Sequence, residues 1–188
     1  MHKSNFDPKS LAKVEVSWWK AHHSKDTPAL LAGLVQYNAE LYGLTNEEAR
    51  KVVESMLRAV KGHDTRDWDS AIEEMVGAYQ LIKDKTKASF DPVEAARQEV
   101  GWWKLHDELE FVDDKTPLAQ AFAKLFALVF EVPESELKKA GEFKAEATRQ
   151  HDLAEADGVT IEDEEKHWKQ AEENLVRFYQ ELRSAIGV

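Results

Sequence analysis

The tryptophans of this chain come in matched pairs, and that pairing restricts its fold more than any other property. Phe6-Asp7-Pro8, followed by Glu15, Trp18, Trp19, Lys20 and His22, returns 84 residues later as Phe90-Asp91-Pro92, Glu99, Trp102, Trp103, Lys104 and His106. Trp68 and Ala71, followed by Tyr79-Gln80, return 100 residues later as Trp168, Ala171 and Tyr179-Gln180. Such a period is too long for a solenoid repeat and fits duplication of a four-helix unit. Two copies in one chain tend to pack about a pseudo-two-fold axis, as isologous dimers do. The expected fold is an all-α, internally duplicated helical bundle of about eight helices. It forms one compact domain over residues 1–188, with repeats at about 1–86 and 87–188.

Apolar spacing is helical throughout, with no convincing strand alternation. Asp7-Pro8 and Asp91-Pro92 place an N-cap and a first-turn proline at two helix starts, Asp26/Thr27-Pro28 does the same at a third, and the sixth helix follows Thr116-Pro117. Thr45-x-x-Glu48 fits a capping box. The third helix is expected to end at Gly62 and the fourth to begin near Asp64. Two insertions distinguish the second copy, one around 108–115 and one from about Thr148 to Thr160. From Leu118 to Phe130 only Gln120 and Lys124 are polar, so this helix needs cover on nearly its whole circumference. That favours one joint core over two separate beads.

Net charge is −11, shared unevenly: residues 1–86 carry 12 Lys/Arg against 13 Asp/Glu, and residues 87–188 carry 13 against 23. Such acidity disfavours nucleic acid, whose phosphates need a basic surface. It marks the second repeat as a face for a basic protein partner, or simply as a solubilising surface. The apolar stretch 118–130 is too short to span a membrane, and the N-terminus lacks the apolar segment of a secretory signal. There is no cysteine, which excludes disulfides, thiolate metal sites and thiol catalysis, and the cytoplasm is the default location.

Helical geometry separates the doubled tryptophans. Ala12, Val16 and Trp19 form a core stripe matched by Ala96, Val100 and Trp103. The neighbouring stripe sets Trp18 between Glu15 and His22, and Trp102 between Glu99 and His106. Glu and His seven residues apart on one helix are separated by roughly 10 Å. An antiparallel crossing of the first and fifth helices would instead bring Glu15 to His106 and Glu99 to His22. These six residues, Glu15, Trp18, His22, Glu99, Trp102 and His106, are the candidate ligand-binding set. Their reading as a structural seam of Glu–His pairs fits a non-enzymatic small-ligand or protein-binding module. The alternative is a helical-bundle enzyme using Glu15/His106 and Glu99/His22, with Glu15, His22, Glu99 and His106 holding Fe, Mn or Zn.

The remaining polar residues are weaker candidates. Glu164-x-x-His167 matches Asp64-x-x-Asp67 and reads as helix capping. His23 becomes Asp107 in the second copy. His2, His63 and His151 read as surface histidines without duplicated partners. Gln36, Asn38 and Glu40 correspond to Leu125, Ala127 and Val129, so only an asymmetric pocket could use them. Lys20 and Lys104 are placed to lay their stems over tryptophan surface.

Overall fold

The computed structural model describes residues 5–110 and 112–188. His2 and the rest of the first four residues lie outside it, as does Phe111 within the expected insertion at 108–115. Eight helices and no strands are present among the described residues: α1 (Pro8–His23), α2 (Thr27–Tyr42), α3 (Asn46–Thr65), α4 (Trp68–Thr86), α5 (Pro92–Leu109), α6 (Thr116–Phe130), α7 (Glu134–Ala154) and α8 (Ile161–Ile186). None of them is long and apolar enough to cross a membrane.

Local chemistry explains where the helices begin. Asp7 accepts from the N–H groups of Lys9 and Ser10 at 3.4 and 3.2 Å, with Pro8 in the first turn. Thr45 and Glu48 form the reciprocal capping box at 3.3 and 3.0 Å, satisfying two otherwise orphaned N–H groups. Two boundaries differ from expectation. Gly62 does not end α3, which continues to Thr65 and stops at Arg66 in the left-handed region. Asp67, rather than Asp64, caps α4 by accepting from the Ser70 N–H. The segment from Thr148 to Ala154, expected as part of an insertion, instead extends α7.

Consecutive helices pack on one another from α1 to α8, and α8 packs back against α1, so the order of neighbours closes into a ring. The core runs through this ring. Leu11, Ala12 and Val16 of α1 join Met75, Ala78 and Ile82 of α4, and Leu175, Phe178 and Leu182 of α8. Nine residues of α6 are buried, including Phe122, Phe126 and Phe130, as its all-round apolar character requires. Phe126 meets Phe178 edge-on at 4.8 Å.

The α6–α7 contact depends on a missing side chain. A Cβ at Gly141 would lie 2.2 Å from the carbonyl oxygen of Ala119 and 3.1 Å from the Cβ of Ala123. Gly141→Ala should therefore force α6 and α7 apart. An expected loss of about 1–3 kcal/mol, despite alanine's better helix propensity, is measurable by urea unfolding. A neutral or stabilising result would mean that the helices separate freely here.

Candidate functional site

Glu15 and Glu99 are not bonded to histidines. Helix α1 packs between α2 and α8, and α5 between α4 and α6, so the expected crossing of α1 over α5 is not how these helices pack. Each carboxylate instead takes a tyrosine from the other half of the chain. Tyr179 O–H donates to Glu15, and Tyr79 O–H donates to Glu99 at 2.7 Å. Each tyrosine ring also meets the phenylalanine of a Phe-Asp-Pro turn, Phe6 with Tyr179 at 5.8 Å and Phe90 with Tyr79 at 6.1 Å, both edge-on. The doubled Tyr-Gln segment thus supplies the partners that the sequence reading assigned to His106 and His22.

The two carboxylates have different company. Glu15 is 2% exposed and is ion-paired with Lys144 of α7. The Lys144 ammonium also lies over the rings of Trp19, Phe122 and Phe178, at 5.3, 5.9 and 5.3 Å. Tyr37 extends the network, with its hydroxyl 3.3 Å from that of Tyr179. Helix α3 carries Met56 where α7 carries Lys144, counting 88 residues between matched positions, and Met56 Sδ accepts from the buried Asn38 amide at 3.7 Å. Burial pushes the Glu99 carboxyl above its ordinary range, against the hydrogen bonds from Tyr79, Trp102 and Trp103. Burial likewise raises the hydroxyls of Tyr37, Tyr79 and Tyr179, with the nearby carboxylates adding to it.

The histidines of the candidate set lie elsewhere. His22 is exposed at the end of α1. His106 Nε2 lies 2.9 Å from Asp152 Oδ1 on α7. Trp18 and Trp102 are half-buried, each edge-on to its neighbouring tryptophan at 5.9 and 6.3 Å. Trp18 packs against Gly33, where a Cβ would come within 2.7 Å of the Trp18 Cβ, and its buried indole N–H has no acceptor. Among the described residues, no group of three or more His, Asp or Glu is arranged to hold a metal ion.

Two histidines read as surface residues turn out to be central. His151 sits between Trp19 at 4.9 Å and Trp168 at 5.6 Å. His63 sits between Trp103 at 5.9 Å and Trp68 at 5.5 Å. These are matched tryptophans, and the signal was present: His63-Asp64 recurs as His151-Asp152, 88 residues on, a register between the two offsets that the tryptophans reveal.

Around His151 the charges converge. Its ring nitrogens lie 3.2 Å from Asp152 and 3.0 Å from Glu155. His23 lies 3.6 Å from Glu155, and Lys115 Nζ 3.6 Å from Asp152. Lys115 also donates to the carbonyls of Leu109 and Glu110, capping the end of α5. Burial opposes charge on His151, but the two carboxylates outweigh it and push its pKa up to about 9. Asp152, also burdened by burial, is held down at about 2 by His106 and His151.

Glu164 and His167 do not act together. Glu164 lies in the first turn of α8 and accepts from the Trp168 indole N–H at 3.2 Å, while His167 Nδ1 lies 2.7 Å from Gln150 Oε1. Beside them a groove of about 330 Å³ opens between α1 and α8. Val16, Trp168 and Val176 contribute its apolar lining, and Lys20, Lys169, Glu165, Glu172 and Glu173 its charges. Lys20 Nζ stands 5.4 Å from the centre of the Trp168 ring.

Comparison with protein-family models, with curated proteins and with solved structures returns no match. Any functional reading therefore rests on the chemistry of these residues.

Proposed function

We propose that the chain is a non-enzymatic binding module, a duplicated four-helix unit in one domain, which takes a basic segment of a partner protein in the α1–α8 groove. The observation that carries this reading is Lys20 over Trp168 with Glu165, Glu172 and Glu173 around it. An ammonium on the face of an indole is held by the ring quadrupole. A lysine or arginine of a partner would replace Lys20 on that face and meet the three carboxylates. The excess acidity of residues 87–188, which include all of α8, would speed its approach. The buried Glu15 has internal donors on both oxygens and reads as part of the scaffold.

The test is anisotropy of labelled nona-arginine titrated with the protein at low and moderate salt. Glu165→Gln/Glu172→Gln/Glu173→Gln should weaken binding about tenfold. Three glutamines at the distant surface residues Glu47, Glu54 and Glu134 should change it little. Equal losses in the two triple variants would reduce the binding to net charge and reject the groove.

A further inference from the structure

We propose that Lys20 is an internal ligand of the α1–α8 groove, held on Trp168 in the free protein and displaced by an arginine-rich, not a lysine-rich, segment of the partner. This role for Lys20 rests on the groove being the binding site and adds what controls access to it.

Trp168 lines the groove yet is only 3% exposed. Lys20, itself exposed, covers it, with Nζ 5.4 Å from the ring centre. Among the described residues Lys20 makes no ion pair, and no ion pair or hydrogen bond engages Glu165, Glu172 or Glu173. The ammonium therefore rests on the indole, and the carboxylates stay available to a second cation.

The other half of the chain carries the same two residues without the cover. Helix α5 packs on α4 as α1 packs on α8, and Lys104 and Trp68 match Lys20 and Trp168. Trp68 is only half-buried, and among the described residues no cation stands over its ring. Of the three groove carboxylates only Glu173 has a match, in Glu73. Thr65 and Ile72 replace the other two, and Asp69 replaces Lys169. The lysine cover thus goes with Glu165 and Glu172, on one tryptophan of the pair.

An incoming lysine would exchange one ammonium for another on the same ring face and gain little. A guanidinium is planar, more weakly hydrated and stacks on indole, and it bonds a carboxylate bidentately. It gains on the exchange, while Lys20 swings on its flexible stem into water.

Protein labelled with ¹³C-lysine reports the cover directly, because the indole ring shifts the Lys20 ε-methylene upfield of the other lysines. Loss of that signal in Lys20→Ala assigns it. Nona-arginine should return the signal to the ordinary lysine position, and nona-lysine at matching saturation should leave it upfield. In the anisotropy titration Lys20→Ala should bind nona-arginine about threefold tighter than Lys61→Ala, the same charge change on α3 outside the groove. Lys20→Arg keeps the charge, stacks better on the ring and should bind more weakly than wild type. Position 20 is exposed and both substitutes are good helix formers, so the circular dichroism should stay that of wild type. Absence of an upfield lysine signal, an equal response to nona-lysine, or equal affinities of Lys20→Ala and Lys61→Ala overturns the role of Lys20 while leaving the groove to its glutamine variants. Equal losses in the two glutamine triples, with the upfield signal intact, reject the groove as the binding site and the displacement with it.

Discussion

Lys144→Met should cost about 3–5 kcal/mol in urea unfolding, because it strands the Glu15 carboxylate in the core with its cation removed. Both partners are nearly inaccessible, so water cannot compensate the lost charge. The charge-neutral double variant Glu15→Gln/Lys144→Met should recover most of that loss. Tyr179 can still donate to the amide oxygen, and methionine fills the space of the lysine stem against Trp19, Phe122 and Phe178. The chain already holds a related arrangement, since Met56 occupies the matched position in α3. Glu99, the carboxylate that corresponds to Glu15, is bonded to Tyr79 and Trp103, and burial drives its carboxyl upward. A double variant no more stable than Lys144→Met would show that the lysine acts through packing rather than charge.

His151→Ala should cost about 2–4 kcal/mol, since it empties the space between Trp19 and Trp168 and leaves Asp152 and Glu155 without their shared cation. The wild type should show the same cluster in its pH dependence. His151 titrates higher in the folded protein than its ordinary value of 6.5, so its contribution is complete below that pH. It fades as pH rises through about 9, by an amount on the order of 3 kcal/mol. Asp152 has the opposite sign: its contribution is present above the ordinary aspartate range and is lost as pH falls toward 2. His106, His23 and Lys115 face the same carboxylates. Thermal melts of wild type and His151→Ala across pH 6–10 check this. The variant should lose the alkaline limb, and parallel curves would assign that limb to another group.

Much of the fold was readable because its signals are local. Asp7-Pro8 and Thr45-x-x-Glu48 state their helix starts within a few residues, and the apolar circumference of Leu118 to Phe130 declares its burial. The end of α3 was misread because Gly62, which resembles a stop, is small for another reason. A Cβ there would lie 2.8 Å from both the Asp67 carbonyl oxygen and the Ala71 nitrogen. The candidate site fared less evenly. Repetition singled out Glu15 and Glu99, and each takes a tyrosine from the other half of the chain although only Glu15 is ion-paired with Lys144. Sequence spacing cannot report which helices become neighbours, and α1 lies against α8 rather than α5. That one fact moves the partner from imidazole to phenol. Lys144 left no trace in the repeats because its counterpart is methionine, so a search for doubled residues passes over it.

The closing of α8 onto α1 also sets an order of events during chain growth. Glu15 is made before its partners, with Lys144 and Tyr179 following 129 and 164 positions later. A carboxylate without its cation stays hydrated, so the inner side of α1 around Glu15 remains wet until α7 and α8 exist to cover it. Closure over so long a stretch is entropically slow but grows only gradually with length. Earlier helices can therefore form and pair while the seam stays open, and the arrival of α8 dehydrates α1.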